Sequence, residues 1–291
     1  MGKEGFHQVK KNYSIISKMA FYNFTQKSIQ SLNEIDLENS NSIYYTYKYC
    51  DFYYKKIDSD DKLVIGFHGF IQKQVPVPVF RGYNYKFNTL SFFDMMCKKN
   101  REDGIVCCSW FLSTKANQYN LVYIEIMQFF IKPTLYNNVI FVGSSAGGHP
   151  SLRYGIYFKR KVILLNVQFY IYKHYLYNDL LQKTGLKTEE FLDFQIEDII
   201  IKEGLPEKTL IFINKLDITE YEMQYKPFKN FLKEQGLTGK VLFAEFTGSN
   251  DDLNPHTTYF PNNVKLEAVI NKLFKRKTHR TTPMFKNINK I

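Results

Sequence analysis

Ser145 sits at the centre of Gly143-Ser-Ser-Ala-Gly147, a G-x-S-x-G spacing that follows directly on the apolar run Val139-Ile-Phe-Val142. When a strand turns this sharply into a helix, the central serine is held in a strained backbone conformation. Side chains two residues before and after it would collide across the turn, which calls for glycine at both places. The strain lifts the hydroxyl above the sheet edge. A serine hydroxyl is a poor nucleophile at neutral pH. It needs a histidine to take its proton, a carboxylate to orient that histidine, and N–H donors for the oxyanion. Acyl transfer through a serine ester is the chemistry such a set would perform.

On a strand-turn-helix scaffold of this kind the partners follow in the order Ser, then Asp or Glu, then His. Asp217 stands four residues past the apolar run Thr209-Leu-Ile-Phe-Ile213 and is the expected orienting acid. Glu220 is the reserve, followed by Asp251 and Asp252. His256 falls in a polar, turn-rich loop after Val241-Leu-Phe-Ala-Glu-Phe246 and is the expected base. His149 would descend from the turn along its own helix, and His7 and His279 lie near the termini. Ser144 is the rival nucleophile but lacks flanking glycines on both sides. A second signal is Phe67-His-Gly-Phe70 at the end of an earlier apolar run. A His-Gly pair there can present a backbone N–H to an oxyanion, with the residue after the nucleophile supplying another. The donors would be Phe70, or Gly69, together with Ala146.

These residues need a scaffold, and the hydropathy pattern supplies one. Apolar runs at Lys62–Phe67, Gly104–Leu112, Val139–Val142, Lys161–Leu165, Thr209–Ile213 and Val241–Phe246 read as buried strands, and Ile43–Tyr54 as a strand or edge hairpin. Helical spacing over residues 118–131, 146–158, 223–235 and 264–274 alternates with them. Near-continuous apolar strands alternating with helices predict an α/β class: a mostly parallel sheet covered on both faces. Residues 174–203 interrupt the sheet and are expected as a small helical cap. Val75–Val79 reads as an extended loop because of its two prolines. Pro150 falls in the helix after Ser145 and is tolerable only near its first turn. The expected organisation is a polar lead-in over 1–40, helical or irregular, one α/β domain over 41–274, and a basic tail over 275–291.

At 291 residues with 44% hydrophobic content, the chain can bury one substantial core. Its 22 Tyr and 26 Phe fit a compositional bias and are not by themselves a stacking surface. No transmembrane run or signal peptide is recognisable, and the four cysteines show no metal-ligand spacing; no metal is expected, and the cytoplasm is the expected compartment. The net charge of +11 is concentrated at the end, where residues 275–291 carry six basic side chains and no acid. Such a tail suits an anionic partner, such as the inner membrane leaflet through peripheral contact or an acidic polymer. Nucleic acid is not expected, since no recognition motif accompanies the charge.

The elbow and its partners resemble the α/β-hydrolase fold over roughly residues 43–274. More narrowly, Phe67-His-Gly-Phe70, Val77-Pro-Val-Phe-Arg-Gly82, Leu90-Ser-Phe-Phe-Asp94, Ser109-Trp110 and Gly143–Gly148 resemble hydrolase-like proteins of bacterial capsule and surface-glycan biosynthesis, some of them O-acetyltransferases. The resemblance implies an acyl-enzyme at Ser145 that passes its acyl group to water or to a sugar hydroxyl. No bound cofactor is expected, and acetyl-CoA is the candidate acyl donor. For a carbohydrate substrate, anionic in one version, His68, Arg81 and Trp110 are candidate contacts, with Lys73, Tyr83 and Tyr85 nearby. Two other readings stand beside it: a non-catalytic binding protein in envelope-glycan assembly, and a general esterase or lipase.

Overall fold

The protein is described by a computed structural model. It covers residues 25–274 except 39–42, 58–61, 72–77, 83, 103–107, 133–134, 137, 193, 249–253 and 262–263. The expectations for Lys73, Tyr83, Cys107, Asp251, Asp252, His7, His279 and the basic tail lie outside the described residues, as does most of the 75–79 loop.

In chain order the elements are β1 (Thr25–Ser28), β2 (Ile43–Tyr47), β3 (Cys50–Lys55), β4 (Lys62–Phe67), β5 (Thr89–Phe92), α1 (Met95–Glu102), β6 (Ser113–Thr114) and α2 (Tyr119–Phe130). Then follow β7 (Asn138–Ser144), α3 (Gly148–Tyr157), β8 (Lys161–Leu165), α4 (Tyr175–Thr184), β9 (Phe191–Leu192) and α5 (Ile196–Glu203). The chain closes with β10 (Thr209–Asn214), α6 (Lys226–Glu234), β11 (Val241–Phe246) and α7 (Leu266–Phe274). Nine strands form one sheet in the order β1-β2-β3-β5-β4-β7-β8-β10-β11. β3 alone runs against both its neighbours; every other pairing in this sheet is parallel.

Strict alternation along the central strands divides the core. Val139 and Phe141 face a cluster shared with Tyr123, Ile126 and Phe130 of α2, Leu152 and Ile156 of α3, and Ile200 of α5. Ile140 and Val142 face the opposite cluster, closed by Val269, Ile270 and Leu273 of α7. Both faces are thus sealed, which is why the strands are apolar end to end. Much of the aromatic content is interior packing: the Phe67 ring lies 5.6 Å from Phe92, 5.5 Å from Tyr154 and 5.0 Å edge-on from Phe111. Register levels the strand ends, pairing Phe67 with Gly143, Gly143 with Leu164, and Leu165 with Phe212. The loops that follow these strands therefore converge on one edge.

Four expectations are corrected. The run through Leu112 is not a strand where it is described: residues 108–112 form a turn with Trp110 at φ +50° and Phe111 at φ +55°. The strand lying between β3 and β4 is instead β5, which overlaps the stretch Leu90–Asp94. The 43–55 hairpin is interior, because β1 lies outside it, so part of the expected lead-in belongs to the sheet. The segment 174–203 is not one cap. Its second part, α5, packs against α3 as the crossover helix between parallel neighbours β8 and β10. Its first part carries Tyr177, Leu180 and Phe191 onto Trp110 and Leu112.

Candidate active site

The chain leaves β7 at Ser144, still extended at φ −126°, and enters a tight helical turn at Ser145 with φ +51°. That left-handed conformation costs a residue with a side chain of order 1–3 kcal/mol and persists only where the surroundings enforce it. They do. A Cβ on Gly143 would strike the Gly147 carbonyl and Ser151 Oγ, and one on Gly147 would strike the carbonyls of Phe67 and His68. The Ser145 N–H donates to the Asn166 carbonyl at 3.1 Å, and its carbonyl accepts from the Gln168 N–H at 3.2 Å. Pro150 occupies the third position of α3, where its missing N–H would have had no intrahelical partner. Ser144 faces away from this arrangement: its Oγ accepts from Arg81 Nη1 at 2.6 Å.

Ser145, His256 and Asp217 come together. Ser145 Oγ lies 2.9 Å from His256 Nε2, and His256 Nδ1 lies 2.7 Å from Asp217 Oδ2. A carboxylate only accepts, so Nδ1 carries the proton and Nε2 presents its lone pair to the serine hydroxyl. Burial opposes charge on His256, but the hydrogen bond to Asp217 and the charges of Asp217 and Glu220 outweigh it and raise its pKa above 6.5. The histidine side chain keeps 29% of its surface exposed.

Glu220 takes a different position. Its Oε1 lies 3.9 Å from His256 Nδ1 and 4.0 Å from His174 Nε2, beyond hydrogen-bond reach of both. That oxygen accepts from Gln168 Nε2 at 3.0 Å, while Oε2 is buried with no hydrogen-bond partner. Burial pushes this carboxyl up to about 7, against the opposing pull of Gln168 and His256. Burial and the neighbouring His256 push His174 down to about 4.

Of the predicted oxyanion donors, Ala146 is the second residue of the turn, where an N–H has no i−4 carbonyl. The His68-Gly69 turn lies against Ser145, with a Cβ position on Gly69 only 3.6 Å from Ser145 Cβ. Phe70 follows it and is 47% exposed.

The three candidate substrate contacts do other things. His68 is 5% exposed; its Nε2 accepts from the Asp94 N–H at 3.0 Å, so Nδ1 donates to the Gly69 carbonyl at 2.7 Å. Both ring nitrogens are spent on shaping the turn. Trp110 is 1% exposed and donates Nε1–H to Gln168 Oε1 at 2.8 Å. Arg81 braces Ser144 and lies 5.7 Å over the Tyr259 ring, three residues beyond His256. Tyr85 is buried among the residues that α7 covers. His149 is sealed at the Phe194 carbonyl, and burial with Arg153 lowers its pKa to about 3. Among the described residues no group of three or more His, Cys, Asp or Glu could hold a metal, and Cys50, Cys97 and Cys108 are buried.

Sequence reasoning missed the polar residues that hold the loops around Ser145, Asp217 and His256. Asn166, at φ +41° just past β8, donates Nδ2 to the carbonyls of Pro255, His256 and Thr258 and accepts from the Asn214 N–H. Asn214, at the end of β10, donates to the carbonyls of Gly248 and Pro255. Asn254 caps the turn by accepting the His256 N–H at 3.0 Å. Gln224 exchanges two hydrogen bonds with the Tyr170 backbone, tying the π-helical turn 221–225 to the loop after β8. Asp94 accepts from Ser109 Oγ and the Phe111 N–H, which pins the strained turn bearing Trp110. The available signal was modest: asparagine immediately after two apolar strands.

A serine on a strained strand-to-helix turn, followed by an acid and a histidine at later strand ends of a mostly parallel sheet, defines the α/β-hydrolase fold, and the chain has that fold. Solved structures agree. The chain is similar to the capsule O-acetyltransferase of Neisseria meningitidis serogroup A in complex with caged gadolinium, at 21% identity and TM-score 0.55, covering 72% of this chain and 87% of that one. It is also similar to the same enzyme's histidine-to-alanine mutant in complex with CoA, at 18% identity and TM-score 0.50, covering 72% and 88%. Neither a protein-family model nor a curated protein sequence matches the chain.

Proposed function

We propose that this protein is a serine-triad acyltransferase that forms an acyl-enzyme at Ser145 and passes the acyl group, acetyl in the favoured case, to a carbohydrate hydroxyl. The observation that carries the reading is the continuous chain Ser145 Oγ–His256 Nε2 and His256 Nδ1–Asp217 Oδ2 at 2.9 and 2.7 Å. His256 Nε2 takes the serine proton as Oγ bonds to the acyl carbon and the carbonyl π pair moves onto oxygen. The N–H groups of Ala146 and of Phe70 or Gly69 would receive that oxyanion. Collapse expels the donor's leaving group, which takes the proton from His256. An acceptor hydroxyl then gives its proton to His256 and attacks the ester carbon. The C–Oγ bond breaks, and its electron pair and the proton return to Ser145.

Support for acetyl and for a glycan acceptor comes from the likeness to a capsule O-acetyltransferase, a structure of which holds CoA. The experiment is intact-mass measurement after incubation with acetyl-CoA or 4-nitrophenyl acetate, then addition of a capsular polysaccharide. A gain of one acetyl group, absent in Ser145→Ala and discharged faster by polysaccharide than by buffer, is the expected result. Discharge at the same rate with and without polysaccharide would instead make the protein an esterase. No helix among the described residues is long and apolar enough to cross a membrane, and peripheral attachment through the basic tail is a proposal for vesicle-binding assays.

A further inference from the structure

Ser145 Oγ has a second partner besides His256. Gln168 Nε2 donates to it at 3.2 Å and to Glu220 Oε1 at 3.0 Å. The orientation of this amide follows from chemistry. Trp110 Nε1–H is only a donor, so the atom 2.8 Å from it must be the amide oxygen, and the NH₂ group must face Ser145 and Glu220. Both amide hydrogens and the amide oxygen are engaged. Gln168 is buried, and its backbone is fixed by the N–H bond to the Ser145 carbonyl. A neutral, immobile N–H is therefore held on the oxygen that reacts.

The strength of that hydrogen bond changes through the reaction. A serine hydroxyl is a good acceptor. Once acylated, Oγ is an ester oxygen whose lone pair is delocalised into the carbonyl, and it accepts poorly. When the C–Oγ bond breaks, the electron pair lands on Oγ and its acceptor strength recovers. An interaction that strengthens between the ester and the departing oxygen lowers the barrier to that step. The same interaction is already present with the free hydroxyl and so gives no comparable help to acylation.

Building on the acyl-enzyme reading above, we infer that Gln168 is a further catalytic residue, specific to release of the acyl group: its N–H favours free Ser145 over the serine ester. Trp110 and Glu220 are positioning residues that hold the amide on target. The role is the same whether water or a sugar hydroxyl receives the acyl group.

Pre-steady-state kinetics of the full chain with 4-nitrophenyl acetate separates the steps, the burst reporting acylation and the steady state reporting deacylation. In Gln168→Met, which is of similar size and has no N–H, deacylation is expected to slow about tenfold or more, the order for a lost donor on developing charge. Acylation should change by less than about threefold, and mass spectrometry should show the acetylated form accumulating. Gln168→Glu, which keeps an acceptor for Trp110 but offers no N–H, carries the same test if the methionine variant does not fold. Equal slowing of both steps, slowing of acylation alone, or no change would overturn the inference while leaving the acyl-enzyme intact. Failure of the wild-type protein to form any adduct would overturn the acyl-enzyme reading first, and the role of Gln168 with it.

Discussion

The two flanks of Ser145 are built from different materials. On one side stand His256 and Asp217, titratable groups on loops, the histidine partly open to solvent. On the other stand Gln168, Trp110 and Glu220, sealed from solvent and joined by hydrogen bonds that leave the amide no freedom. The first flank must move a proton and so needs a group that changes charge near neutral pH and can be reached by an acceptor. The second must keep an N–H in place and gains from burial, because an amide has no charge to desolvate. The contrast extends to the two acids. Asp217 caps the turn that Glu220 ends, three residues apart, yet one bonds the histidine and the other bonds the amide.

The largest expected break in this comparison is on the open flank. Ser145→Ala should remove acylation and lower esterase turnover by at least about 10⁴-fold. Asp217→Asn should cost about 10³- to 10⁴-fold in kcat with the fold retained, since the histidine loses its tautomer and aim. Glu220→Gln, three residues away, should cost less than about tenfold. If the two acid variants fall equally, Glu220 shares the orienting role and the distinction drawn here fails.

Asn166→Ala comes next. It frees the His256 loop from three carbonyl contacts and leaves buried acceptors unpaired, at about 1–3 kcal/mol for each group left without a partner. Activity should fall about 10- to 100-fold through misplacement of the base, and Tm should fall with it. An unchanged kcat together with a lowered Tm would show that the loop is held by other contacts.

Smaller effects come from titration. His256 must be neutral to accept the serine proton, and its pKa is raised, so kcat/KM should climb with pH through a midpoint above 6.5. Removing the Asp217 charge should move that midpoint down. The smallest effect is on stability. Glu220 titrates at about 7 in the fold and near 4.5 when exposed, so the unfolded chain gives up this proton first, and stability falls as pH rises through that window. Glu220→Gln should therefore raise Tm more at pH 8 than at pH 5; the reverse order would show the carboxyl to be ionised and well paired.

The elbow, the acid and the base were legible because each follows an apolar strand in fixed order, and strand ends in a parallel sheet share one edge. That rule singled out His256 and put Asp217 first among the acids, with Glu220 still in reserve. The turn at Trp110 and Phe111 was not legible: a run of apolar residues looks the same whether it lies in a strand or is bent into the core around a buried carboxylate such as Asp94. His68, Arg81 and Trp110 were assigned outward roles because their side chains could serve a sugar. In the fold the His68 ring nitrogens, Arg81 Nη1 and the Trp110 indole N–H shape the site from behind.

By itself the sequence determined the elbow at Ser145, since glycines on both sides of the serine permit the strained turn and hydropathy alone fixes the strand beneath it. Only the tertiary structure decided which acid meets the histidine and that an amide reaches the same serine oxygen. Those contacts join residues 39 and 23 positions apart, through loops whose paths are set by Asn166, Asn214 and Gln224 rather than by any local periodicity.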